Sequence, residues 1–140
     1  MRNSRRILLE TGSMMVTLME DTQQLEIVQM LPDGRRIMST FTISRPNRDC
    51  IINLYNNGDF YKMRIVSTQE GYIQKEVMVR SLTSISVLQN FVVHYFLCVG
   101  TPRAVKIEGM PAYMSNEIFR QFFENLGIEL LISRENFRIP

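Results

Sequence analysis

Ser84-Ile85-Ser86-Val87-Leu88-Gln89-Asn90-Phe91-Val92-Val93-His94-Tyr95-Phe96-Leu97-Cys98-Val99 is the stretch in which the hydrophobic pattern of this chain changes period. Ile85, Leu88, Phe91, Val92, Tyr95, Phe96 and Val99 recur at the spacing of one helix face. Thr83 or Ser84 can cap the start, and Gly100 and Pro102 stop the end. Thr101-Pro102-Arg103-Ala104-Val105-Lys106 then closes the helix and re-enters a strand. A long helix therefore follows whatever the first 80 residues build, with a strand as the alternative that the Val and Ile content keeps open.

Those residues alternate with period two. Met14 to Glu20, Leu25 to Leu31 and Arg36 to Ile43 read as strands, the last with Ile37, Phe41 and Ile43 on one face and Arg36, Met38 and Thr40 on the other. Pro32-Asp33-Gly34 supplies a turn, since proline presets φ and glycine accepts φ > 0. Arg45-Pro46-Asn47 interrupts, and Cys50 to Tyr55 is a fourth strand. Asn56-Asn57-Gly58-Asp59 is a hairpin signal. Phe60 to Ser67 pairs back, with Tyr61, Met63 and Ile65 on one face and Lys62 and Arg64 on the other. Gln69-Glu70-Gly71 turns again, and Tyr72 to Arg80 is a sixth strand with Ile73, Val77 and Val79 on its apolar side. Short turns join these strands, so the pattern predicts an α+β fold: one six-stranded antiparallel sheet crossed by the helix.

After the helix, Ala104 to Ile107 is a short strand and Ser115 caps a second helix carrying Ile118, Phe119, Phe122, Phe123 and Leu126 on one stripe. Gly127 lies just past its end, and Ile128 to Ile132 is a further strand. This segment reads as the start of a second β/α unit, which places a boundary at residue 107 between a first domain, 1–107, and the opening of a second, 108–140.

The chain has 140 residues, 45% hydrophobic and 21% charged. That is ordinary globular composition, sufficient for a core. No run is long and apolar enough to span a bilayer, so no membrane association is expected. The formal charge of +2 argues against bulk nucleic-acid binding. Catalytic signatures are missing: there is no phosphate-binding glycine loop, no nucleophile elbow, and one histidine with two distant cysteines makes no zinc site. No cofactor or metal is implied, and the segment reads as non-catalytic. His94, flanked by Val93, Tyr95 and Phe96, reads as a core histidine, and Cys50 and Cys98 as buried reduced thiols. Seven of the methionines, Met14, Met15, Met19, Met30, Met38, Met63 and Met78, fall in strands and read first as core filler. Basic residues recur at Arg35, Arg36, Lys62, Arg64, Lys75 and Arg80, a candidate patch for an acidic partner.

Two resemblances bear on function. Val105-Lys106-Ile107-Glu108-Gly109-Met110-Pro111, followed by a helix with Phe119 and Phe122-Phe123, resembles the first strand and helix of the RNA-recognition motif. The aromatic stacking strand of that family is absent. More of the chain is similar to the cryptic polo-box region of the polo-like kinase 4 family, in the manner of a divergent member such as a nematode counterpart. Arg6 to Leu18, with its turn at Gly12, resembles the opening strand pair, and Ile27 to Ile37 around Pro32-Asp33-Gly34-Arg35-Arg36 resembles the next hairpin. Phe91-Val92 and Thr101-Pro102-Arg103-Ala104-Val105-Lys106 resemble the covering helix and its exit. This resemblance implies a targeting and dimerisation module of a centriole-duplication Ser/Thr kinase, cytoplasmic and centrosomal. Such a module homodimerises and docks on acidic segments of centrosomal scaffold proteins. The alternative is an RNA-binding module.

Overall fold

The computed structural model describes residues 4–44, 48–56, 58, 60–68 and 74–134. Within them the chain is α+β and forms two compact units, Met1–Ser44 and Arg45–Pro140. The expected boundary at residue 107 falls inside a strand.

The first unit is a four-stranded antiparallel meander, β1 (Arg5–Glu10), β2 (Met14–Met19), β3 (Gln24–Met30) and β4 (Arg36–Thr42), in that spatial order. The β1–β2 turn closes on Thr11, whose Oγ1 accepts from the Ser13 and Met14 amides at 3.2 and 3.0 Å. Pro32-Asp33-Gly34 turns as the sequence predicts: Gly34 takes φ +89° and Asp33 Oδ1 accepts the Arg35 amide at 3.0 Å. Alternation sends Met14, Val16, Leu18, Leu25 and Ile27 to one face, where all are buried.

The second unit holds β5 (Asp49–Asn56), β6 (Tyr61–Ser67), β7 (Gln74–Val79), α1 (Ser84–Phe91), a π-helical turn (Val92–Phe96), α2 (Leu97–Val99), β8 (Ala104–Met110), α3 (Asn116–Asn125) and β9 (Glu129–Arg134). Its sheet runs β7-β6-β5-β8-β9. β5, β6 and β7 pair antiparallel, whereas β5–β8 and β8–β9 are parallel. Of the expected hairpin, Asn56 Oδ1 accepts the Gly58 amide at 2.9 Å; Asn57, Asp59, Arg45-Pro46-Asn47, the turn at Gln69-Glu70-Gly71 and Ile73 lie outside the described residues.

The single six-stranded antiparallel sheet is therefore corrected. Its strands are all present but divided between two sheets. The reason is hydrogen-bonding capacity: β5 has two edges, β6 takes one and β8 takes the other, so none is left for β4. Residues 104–134 likewise do not open a second sheet. They supply β8, α3 and β9 to the sheet that β5 begins.

The long helix forms where the period predicts. Thr83 caps it, its Oγ1 accepting the Ser86 amide at 3.1 Å. Ile85 is an exception, exposed while Val87 is buried. The π-helical turn explains the aromatic packing. An α-helix would carry residues five apart to different sides, but the wider turn sets Phe96 beside Phe91 at 4.9 Å. α3 adds Phe122, stacked on Phe96 at 6.0 Å, and Phe123, edge-on to Phe91 at 5.6 Å. Ser115 caps α3, and Ile118 leaves the apolar stripe for solvent. Cys50, Ile52, Leu54, Met63, Ile65, Val105 and Ile107 form the buried sheet face of this unit. The methionines split: Met14, Met63, Met110 and Met114 are core, while Met30, Met38 and Met78 are exposed. Cys98 is also exposed, against the expectation of two buried thiols. His94 is half-buried. Burial and then the Lys75 charge lower its pKa.

The Tyr95 hydroxyl is buried beside Cys50 and Ser67 but makes no hydrogen bond of good geometry among the described residues. Burial, reinforced by Cys50, pushes its pKa up to about 12, and burial pushes the Cys50 thiol far above its usual range. Both groups are thus neutral in the folded state. Above their unfolded values, about 8.5 for thiol and about 10 for phenol, the unfolded chain sheds protons that the folded chain keeps, so stability falls as pH rises. Urea unfolding should show an alkaline limb between about pH 9 and pH 12, with a slope of up to roughly 1.4 kcal/mol per pH unit from each group. The Cys50→Ala/Tyr95→Phe double variant should flatten this limb. An unchanged slope in the double variant would refute the assignment.

Candidate functional site

In an open sheet containing parallel strands, ligands bind outside the carboxyl ends of neighbouring strands whose connections leave in opposite directions. β5 and β8 are such a pair. From β5 the chain turns back to β6 on one side, and from β8 it crosses through α3 to β9 on the other. Alternation puts Ile52 and Leu54 in the core and Ile51, Asn53 and Tyr55 on the face opposite the helices. That second face stays open: Tyr55 is 41% exposed, and Met78, Leu131 and Lys106 are exposed around it.

The registers align a polar row across this face. Glu76 lies opposite Arg64, Arg64 opposite Asn53, and Asn53 opposite Glu108. Arg64 donates to Glu76 Oε1 from Nε at 3.1 Å and from Nη2 at 2.7 Å. Lys62 Nζ stands 3.9 Å from Glu76 Oε2. The Arg64 hydrogen bond, then the Lys62 charge, hold the Glu76 carboxyl below its usual range, and the same bond raises the Arg64 guanidinium. The guanidinium carbon also lies 5.9 Å from the centroid of the Tyr55 ring, within cation–π range. Glu108 has no ion pair among the described residues. Toward the other end of the same face, Ile51, Thr68, Lys106 and Leu131 line a shallow cavity of about 140 Å³.

Gly109 lets β8 pass close to β5 at the end of the row. It takes φ +79°, and a Cβ there would lie 2.5 Å from the Leu54 carbonyl oxygen. Alternation with the buried Val105 and Ile107 places Glu108 on the open side, and the β8–β9 register then shifts between Glu108 and Met110, which returns Met110 to the core. Arg134 ties down the next segment: its Nη1 donates to the Pro111 and Met114 carbonyls, each at 3.0 Å, and its Nη2 to Asn116 Oδ1. At the amino end of the strands an Arg103–Asp49 fork, at 3.1 and 3.0 Å, joins β8 to β5.

This arrangement offers recognition chemistry. Divalent cations of the magnesium type need carboxylate charge, and across β5 and β8 the pair is an amide and one carboxylate. Among the described residues no cluster of three or more His, Cys, Asp or Glu side chains could hold a metal ion. None of their helices is long and apolar enough to cross a membrane.

Of the six basic residues that the sequence groups as a patch, the structure brings Lys62 and Arg64 together. Arg35 and Arg36 belong to the first unit, where Arg35 pairs with Asp33 of its own turn at 2.6 Å and Arg36 opens β4. Lys75 pairs in register with Ile65, on the helix-bearing face, and Arg80 is exposed beyond the end of β7. Sequence reasoning missed Asn53, Tyr55, Glu76, Lys106 and Glu108. Alternation places Asn53 and Tyr55 on the polar side of β5, but Glu108 joins them only through a parallel pairing that no local pattern announces.

No family model and no curated protein matches the sequence. Among solved structures it is similar to a chain in the cryoEM structure of the simian T-cell lymphotropic virus intasome in complex with PP2A regulatory subunit B56 gamma, at 20% identity and a TM-score of 0.47 over 69% of this chain. The match spans 36% of that chain, about a third of its length.

Proposed function

We propose that this chain is a non-catalytic binding module that holds a single-stranded nucleic acid across the open face of its five-stranded sheet. One observation carries the reading: donors, acceptors and an exposed aromatic ring are interleaved in the row Glu76–Arg64–Asn53–Glu108 with Tyr55 beside it. Asparagine and glutamate match the edges of bases, a tyrosine ring takes a base by stacking, and Lys106 suits a phosphate. The uncharged Asn53 leaves the strand pair short of the carboxylates that metal-assisted phosphoryl transfer uses, which supports binding without cleavage.

Docking of an acidic peptide on Lys62 and Arg64 is the competing reading, and their shared face supports it. Two features weigh against it. Glu76 already engages both cations, so a peptide carboxylate would have to displace it, and Glu108 offers an acceptor that pairs with a base edge and not with a carboxylate. The polo-box resemblance implies a six-stranded antiparallel sheet, and this chain builds a different one.

Fluorescence anisotropy with single-stranded DNA and RNA, alongside an acidic peptide, tests the proposal. Tyr55→Ala should weaken oligonucleotide binding by about 1–3 kcal/mol, the usual range for a stacked base. Lys106→Ala should weaken all sequences alike and reduce the salt slope by roughly 0.7, one phosphate contact on a single strand. Binding of the peptide with none of either oligonucleotide would reject the proposal in favour of acidic-peptide docking.

A further inference from the structure

Of the two edge strands of the first unit's sheet, β1 and β4, the β4 edge is self-complementary. Among the described residues β4 pairs with β3 alone, through seven continuous register pairs from Gln24↔Thr42 to Met30↔Arg36. Two flanking hydrogen bonds fix which backbone groups face outward. The Ile43 amide donates to the Gln23 carbonyl at 2.8 Å, and the Leu31 amide donates to the Arg35 carbonyl at 2.8 Å. Residues 35 and 43 therefore point their backbone groups at β3, and by alternation so do Ile37, Ser39 and Phe41. The N–H and C=O groups of Arg36, Met38, Thr40 and Thr42 face away from it.

Exposed strand edges are normally blunted by charge, proline or a bulge. The other edges in this chain show such devices. β1 carries Arg5, Arg6 and Glu10 and a register break between Ile7 and Leu9. β7 carries Lys75 and Glu76, and β9 pairs through a register break and ends on Arg134. β4 has no break and no proline, and its one charge, Arg36, is at its end. It also exposes large apolar groups, Ile37 at 45% and Met38 at 65%. This is the profile of an edge used for strand addition.

We propose that two copies of this chain associate through β4, antiparallel about a two-fold axis at Ser39, to form a continuous eight-stranded sheet. The occupant follows from the register. With Ser39 opposite Ser39 of the second copy, Met38 faces Thr40, Arg36 faces Thr42 and Ile37 faces Phe41. Every outward backbone group of the strand then meets an outward group of its partner. Side chains of one face meet the same face, so the apolar row that Ile37 and Phe41 share continues across the axis. No like charges come opposite each other, because Arg36 lies against Thr42.

Sedimentation velocity of the full chain from low to high micromolar concentration reads the association. Thr40→Pro deletes an outward N–H while sparing the bonds to β3, and Met38→Lys adds an edge charge at an exposed site. Each should weaken self-association about tenfold or more, with circular dichroism unchanged. Ser39→Cys, in a Cys98→Ser background that removes the exposed thiol, should give a disulfide-linked dimer under mild oxidation, because directly opposed residues on non-hydrogen-bonded positions lie about 4.5 Å apart at Cα. A wild-type chain that stays monomeric throughout would overturn the proposal. So would a dimer that survives both Thr40→Pro and Met38→Lys.

Discussion

Replacing Gly109 with alanine is expected to destabilise the chain by about 2–5 kcal/mol, through left-handed backbone and backbone overlap acting together. Gly109 sits at φ +79°, and its added Cβ would come within 2.5 Å of a main-chain oxygen, Leu54 O. A flexible side chain could move aside, whereas the Leu54 carbonyl belongs to the central strand of the sheet and cannot. Two other glycines separate the contributions. Gly34 has φ +89° with nothing within 4 Å, so Gly34→Ala should lose about 1–2 kcal/mol, the conformational part alone. Gly12 has open space and no positive φ, so Gly12→Ala should be close to neutral. Urea titrations of the three variants read the order directly. If Gly109→Ala loses no more than Gly34→Ala, the close approach of β8 to β5 is wrong. Oligonucleotide binding should fall with Gly109→Ala beyond the loss of folded protein, because relieving the overlap with Leu54 moves the end of β8 away from β5 and with it Glu108 from Asn53.

Phe91→Ala should lose about 3–5 kcal/mol, the usual range for emptying a fully buried aromatic site. Phe91 is fully buried and touches three other rings: Tyr95, stacked at 5.3 Å, Phe96 at 4.9 Å and Phe123 at 5.6 Å. Its loss removes packing within the helix and between that helix and α3, so the cavity has walls on two elements that cannot collapse independently. Phe91→Leu keeps most of the volume and should lose clearly less. Thermal unfolding by circular dichroism measures both. Equal and small losses for the two variants would mean that the rings around Phe91 close the gap, against the packing described. Phe91 lies far from Tyr55 and Glu108 in sequence and on the opposite side of the sheet, so binding per folded molecule should be unaffected by Phe91→Leu.

The strands and helices, and the faces of most of them, were legible in the residues. Hydrophobic burial acts locally with a period of two or 3.6, so Met63 and Ile65 announce a buried face, and Phe119, Phe122 and Phe123 a buried stripe, wherever their partners lie. Turn and cap chemistry is equally local: Gly34 takes the left-handed backbone of its turn, and Thr83 and Ser115 cap their helices. The same logic put Lys62 and Arg64 on one face. Strand partnership is decided differently. β5 offers the same alternation to any neighbour, and its pairing with β8, 55 residues away, is settled by which strands fill its two edges and by the close approach that Gly109 permits. The division of six expected strands between two sheets, the assembly of Asn53, Arg64, Glu76 and Glu108 into one row, and the open edge of β4 all follow from that non-local choice. Period and turn chemistry are properties of neighbours along the chain. Sheet order is a competition among hydrogen-bonding edges, and only the folded molecule resolves it.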